Sequence, residues 1–109
     1  MVAAHPYADH DRSPLRPTRR IWRERESFRG LIHRYELFNR RETFAWIAED
    51  GLPPLATGDF HHPEHLSSWK TLLRCEKDAD AILDCLRSRS RVYLTPFGAD
   101  DRLAVPVAA

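Results

Sequence analysis

Three imidazoles and a carboxylate stand within five residues at His61-His62-Pro63-Glu64-His65. Nitrogen and oxygen donors at that density could ligate a transition metal. The spacing works against a preformed site. If Pro63 opens a helix, His61 lies outside it, and His61 and His65 are not held one turn apart. No closed zinc pattern is present, and the nearest thiol, Cys75, lies ten residues on. His61, His62 and His65 are therefore the only weak metal candidates. The plainer expectation is a polar loop-to-helix junction with no metal and no cofactor.

The two cysteines, Cys75 and Cys85, are the next reactive groups. On one continuous helix they would lie about 15 Å apart by rise alone, out of disulfide reach. A break near Glu76 would bring them closer. Neither sits in a CxxC motif, and both read as small core residues. Nothing in the chain marks a catalytic centre. Its four glycines are scattered at Gly30, Gly51, Gly58 and Gly98, so no phosphate loop forms, and there is no GxSxG or HExxH. No catalytic residue is assigned.

The strongest pattern is charge. Residues 12–41 hold ten of the fifteen arginines and three acids, Glu24, Glu26 and Glu36, for a formal charge of +7. The whole chain is +1, so the remainder carries −6. The preference for arginine over the two lysines, Lys70 and Lys77, is what a GC-rich bacterial genome gives through codon usage. The clustering is not, because codon usage does not sort charge along a chain. Aromatic residues interleave with these arginines. Arginine pairs phosphate bidentately and stacks on rings, and exposed rings on a sheet can stack bases. The candidate contact residues are Arg19, Arg20, Arg23, Arg25, Arg40 and Arg41, with Trp22, Tyr35 and Trp46 as stacking rings. A domain this small also needs large aromatics for its core.

The elements that must position these groups follow from periodicity. Pro6, Pro14 and Pro17 break residues 1–17 into a flexible arm, and residues 18–109 read as one globular domain. Arg19 to Glu26 suits a short helix or a further strand. From about residue 30 to 48, Leu31, His33, Tyr35 and Leu37 alternate, Asn39 to Glu42 turns, and Thr43 to Ala48 returns, so a hairpin is expected with Arg40 and Arg41 at its tip. Pro63 opens a helix over about 63–74, carried by Leu66, Trp69, Leu72 and Leu73. Asp78 caps a second helix over about 78–89, whose stripe is Ala79, Ile82, Leu83 and Leu86. A strand returns over about 91–95. Leu103, Val105 and Val107 alternate, but Pro106 limits them to an edge strand or a loose tail.

Strands, then helices, then a strand indicate an α+β domain with both helices on one face of a small antiparallel sheet. A mostly helical domain is the alternative if residues 18–50 are helices. At 109 residues the chain can bury a core without disulfides or metal. No apolar run approaches a membrane span, so no membrane partner is expected. No secretory leader is read, and the cytoplasm is the expected location. The expected function is a small non-catalytic nucleic-acid-binding or nucleic-acid-associated accessory protein. The alternative is a protein-interaction module, a small regulator, inhibitor or subunit that docks on an acidic protein surface or forms a homodimer.

Overall fold

The structure is a computed structural model that describes residues 1–7, 18–40, 42–96 and 105–107. It is an α+β domain built on a hub strand, β2 (Arg34–Asn39). The short strand β1 (Val2–Ala3) pairs with it in parallel, with Val2 opposite Arg34 and Ala3 opposite Tyr35. The stub β3 (Glu42–Thr43) pairs antiparallel, and β4 (Pro54–Thr57) pairs parallel along residues 35–39. Tyr35 is opposite both Ala3 and Pro54, and Phe38 is opposite both Thr43 and Ala56. Hence β4 occupies one edge of β2, while β1 and β3 share the other. The sheet is mixed, where an antiparallel one was expected. The reason is that β1 and β4, distant in sequence, both fill edges that the short hairpin leaves open.

A second, antiparallel sheet has the order β5 (Trp69–Leu72), β6 (Val92–Pro96), β7 (Val105–Val107). The returning strand lies within a residue of its expected bounds, yet it belongs to this second sheet and not to the hairpin. The two sheets join at β4 and β5. The Thr71 hydroxyl accepts from the Ala56 N–H at 2.9 Å and donates to the Ala56 carbonyl at 2.8 Å. It thus stands in for a strand neighbour where β4 would otherwise leave both groups unpaired. Phe38 stacks on Trp69 across the same seam, with centroids 4.0 Å apart and planes 8° from parallel.

The helices are short: α1 (Thr18–Arg23), α2 (Arg25–Phe28), α3 (Trp46–Glu49) and α4 (Ala79–Arg87). Arg19 to Glu26 is thus helical. The second hairpin arm ends after two residues, because Phe44, Trp46 and Ile47 all turn inward while Ala45 and Ala48 face out. That is helical spacing, and α3 results, in place of the strand expected through Ala48. The helix expected over 63–74 is also corrected. A 3-10 turn (Pro63–Ser67) begins at the proline as expected, but Trp69 to Leu72 leaves it to pair with β6. Trp69 and Thr71 suit a pleated surface, and pairing with Val92 to Pro96 outweighs a weak helical stripe.

The hydrophobic core holds Tyr35, Leu37, Phe44, Trp46, Ile47, Val92 and Leu94. Of the expected arm, residues 1–7 are built into the domain: Ala3, Pro6 and Tyr7 are buried, and the Trp46 indole donates to the Tyr7 carbonyl at 2.7 Å. Residues 8–17 and Leu103 lie outside the described residues. No described helix is long and apolar enough to cross a membrane.

Candidate functional site

Of the seven described arginines in the basic segment, four are ion-paired within the domain, two of them with acids of the segment itself. Arg20 pairs with Glu24 at 2.9 Å and Arg29 with Glu26 at 2.7 Å. Arg25 pairs with Asp50, donates to the Trp22 carbonyl at 2.8 Å, and lies over the Trp22 ring. Arg19 lies over the Tyr7 ring at 5.7 Å. Arg40 sits at the hairpin tip as expected, but it folds back onto Asp59 at 2.5 Å. Arg23 is exposed and has no partner among the described residues, and Arg41 lies outside them. Two of the expected contact rings are corrected. Tyr35 is 0% exposed and Trp46 is 6% exposed. Tyr35 is buried in the core because α3 folds over its face of the sheet and sets Trp46 against it, edge to face at 6.1 Å. Trp22 stays half-buried against Tyr7, with centroids 5.3 Å apart.

A polar cluster that no sequence motif marks lies at the C-terminal end of β2. Glu36 is 2% exposed and, among the described residues, has no partner of fixed positive charge. Its carboxylate instead accepts from the His5 N–H at 2.7 Å, from the Asn39 amide at 3.0 Å and from the Thr57 hydroxyl. Asn39 also meets His5 Nδ1 at 2.8 Å. The outer end of His5 reaches Asp59 at 3.4 Å, and His61 reaches the same Asp59 oxygen at 3.1 Å. Burial, the largest single influence on Asp59, would raise its pKa, but His5, Arg40 and His61 together hold the carboxyl below its usual range.

Backbone strain converges on the same point. Among the described residues, the non-glycine residues with positive φ are His5 (46°), Arg40 (45°) and Asp59 (42°), and both His5 and Arg40 touch Asp59. Each such residue costs on the order of 1–3 kcal/mol unless the surroundings fix it. Here two of the three are in contact with the carboxylate of the third. His5 and Asp59 are 54 positions apart, so no local pattern could have joined them.

Beside this cluster opens a cleft of about 640 Å³, lined by Asn39, Arg40, Glu42, Glu64, His65, Ser67 and Ser68. His65 Nδ1 accepts from the N–H groups of His61 at 3.1 Å and His62 at 3.3 Å, which leaves Nε2 to carry the proton. Two of the three metal candidates are thereby tied to other tasks: His65 caps the turn and His61 pairs with Asp59. Among the described residues no group of three or more histidine, cysteine or acidic side chains is placed to hold a metal.

The last candidate surface is α4. Asp78 caps it as expected, accepting from the Ala81 N–H at 3.0 Å. Its stripe was expected to pack on the sheet, yet no α4 residue is buried, and Ile82 and Leu83 are 37% and 44% exposed. Ala81, Cys85 and Leu86 are half-buried. The side turned to the domain is therefore rotated away from the centre of the apolar stripe. The helix is held instead at its C-terminal end, where the buried Arg34 guanidinium donates to the carbonyls of Cys85, Leu86, Ser88 and Ser90.

No protein-family model matches the chain, and no curated protein is significantly similar to it. The functional reading therefore rests on these surfaces alone.

Proposed function

We propose that the protein is a non-catalytic interaction module that self-associates through the apolar face of α4. The observation that carries this reading is an amphipathic helix with no buried residue. Its charges are sorted along its length. Asp78 and Asp80 lie at the start, Arg87 and Arg89 lie at and beyond the end, and Asp84 in the second half already meets Arg87 at 3.7 Å. Two copies of α4 packed antiparallel about a two-fold axis would cover Ile82 and Leu83 and set Asp80 of one against Arg87 of the other. A self-complementary patch of this kind is what a two-fold interface requires.

The pairing is weak. Fully burying an Ile or Leu stabilises by about 1.5–3 kcal/mol, and these side chains are already more than half covered. Association costs about 4–15 kcal/mol, as much as or more than these side chains return, so the dissociation constant lies at roughly millimolar or above. Sedimentation equilibrium over a wide concentration range tests this. A dimer should form at high concentration, Leu83→Asp should abolish it, and Asp80→Arg should weaken it. Adding Arg87→Asp to Asp80→Arg should restore it. A monomer at every concentration ends the reading.

Nucleic-acid association is the second reading, and α1 supports it: Arg20 and Arg23 are exposed beside the half-buried Trp22. Two phosphate contacts on a single strand give a log–log salt slope of about −1.4. Titration of a single-stranded oligonucleotide at low salt checks this, and absence of binding there removes it.

A further inference from the structure

Residues 1–7 lie in a slot formed by the rest of the chain. One wall is the edge of β2. There the Met1 carbonyl accepts from the His33 N–H at 2.9 Å, and Val2 and Ala3 stand opposite Arg34 and Tyr35. At the far end the Tyr7 ring packs on Trp22 of α1 with Arg19 over it, and the Tyr7 carbonyl accepts from the Trp46 indole of α3 at 2.7 Å. Between these ends the His5 N–H donates to the Glu36 carboxylate at 2.7 Å. Ala3, Pro6 and Tyr7 are buried, whereas Val2, Ala4 and His5 are exposed. The slot therefore holds a peptide segment by its backbone and sorts it by three side chains: a small residue, a proline three positions on, and an aromatic ring next to the proline.

The arm holds this slot lightly. β1 supplies two ladder pairs to a β2 of six residues, and His5 is strained at φ 46°. Segments held by so few contacts open before the domain as a whole unfolds. An empty slot is nevertheless unfavourable. The Trp46 indole would lose its acceptor and the buried Glu36 carboxylate one of its donors. The slot is thus suited to exchange, one segment for another. The arm also leaves one donor unused. Arg19 Nε, on the side chain that covers the Tyr7 ring, is buried with no partner among the described residues. A segment with a carbonyl or carboxylate placed just past its aromatic residue would make a bond there that residues 1–7 do not.

We propose that this slot is a binding site for a peptide segment of another protein, one that carries a small residue, a proline three positions later and an aromatic residue after the proline, and that residues 1–7 fill it until such a segment displaces them. The arm itself shows that each of these features fits. Ala3 is buried opposite Tyr35, so a large side chain at that position blocks entry. The arm is tethered through residues 8–17 and competes at the high effective concentration of a linked ligand, so a partner must bind more tightly than the free arm would. None of these contacts comes from α4, and the two surfaces stand or fall separately.

The probe is a synthetic peptide of residues 1–10, and the receptor is the full chain carrying Ala3→Arg, whose own arm cannot seat. This variant should bind one peptide per chain, on the order of tenfold more tightly than the wild-type chain does. The Trp46 indole N–H resonance should return to its wild-type position as the slot fills. A peptide that itself carries Ala3→Arg should not bind. A second measurement leaves the arm unaltered. A specific protease site is inserted between residues 10 and 11 of the full chain, the chain is cut with both pieces kept together, and isotope-labelled peptide is added in excess. Mass spectrometry should show labelled peptide replacing the arm piece faster than the domain unfolds, as read from global hydrogen exchange. If Ala3→Arg unfolds the chain, the cut chain decides. No binding to folded Ala3→Arg chain, equal binding of the Ala3→Arg peptide, or replacement no faster than global unfolding would each overturn the proposal. A wild-type dimer that the peptide dissolves would give the slot to the arm of a second copy and overturn it as well.

Discussion

Strand β2 and helix α4 invert the usual arrangement of residues. The strand buries Arg34, Glu36 and Asn39, while the helix leaves Ile82 and Leu83 exposed. Burying a charge is costly unless it is hydrogen-bonded, and both β2 charges are. Arg34 takes the carbonyl end of α4, where four acceptors and the negative end of the helix dipole converge. Glu36 takes three donors from three separate segments. The strand is thus fixed by polar groups that have found partners, and the helix is attached by one of those groups more than by its own apolar face. A polar side chain here does the positioning that a leucine stripe performs in most small domains. Part of the stripe, at Ile82 and Leu83, stays exposed.

This contrast can be broken or sharpened by substitution. The largest effect is expected at Arg34. Arg34→Ala leaves four carbonyls without their charged donor and should cost about 3 kcal/mol in urea denaturation, with loss of α4 helicity first. If the helix signal survives unchanged, α4 is held by its apolar side after all. Asn39→Ala removes one donor to Glu36 and one contact to His5, and a cost of about 2 kcal/mol is expected. A value near zero would mean that water replaces the amide. Gly51 has φ +62° and open space around its missing side chain. Gly51→Ala therefore reports backbone strain alone, about 1 kcal/mol, and a stabilised variant would contradict the left-handed turn after α3.

The acid limb of stability depends on Asp59. Its folded pKa is lowered, so its contribution is complete above the unfolded carboxylate value, about 3.9, and fades as pH falls through the folded value. Asp59→Asn should flatten that limb of a stability–pH curve. Parallel curves for the two proteins would show that the His5, Arg40 and His61 contacts do not persist in solution. The smallest effect belongs to the other side of the contrast. Ile82→Ser should change the stability of dilute, monomeric protein by no more than about 0.5 kcal/mol. A loss of 2 kcal/mol or more would place Ile82 in the core.

Much of the local structure was legible before any tertiary contact was known. The cap at Asp78, the hairpin turn around Arg40, the strand near Val92 and the proline-led turn at Pro63 all follow from residue type and spacing. Each depends on neighbours within a few positions. The readings that failed needed information from farther away. Trp69 to Leu72 carries a helical stripe, but its strand partner lies more than twenty residues on. Tyr35 and Trp46 look like stacking rings until α3 is seen to fold one onto the other in the core. The Asp59 cluster gathers residues from separate segments.

The sequence by itself therefore determined an α+β domain, a basic first half and the positions of its turns, because charge and turn chemistry are local. The tertiary structure alone decided that four of the seven described arginines there are ion-paired within the domain, that Tyr35 and Trp46 are core, and that part of an apolar helix face stays exposed. Burial and pairing depend on which distant segments meet. That is set by sheet topology, and no residue carries it alone.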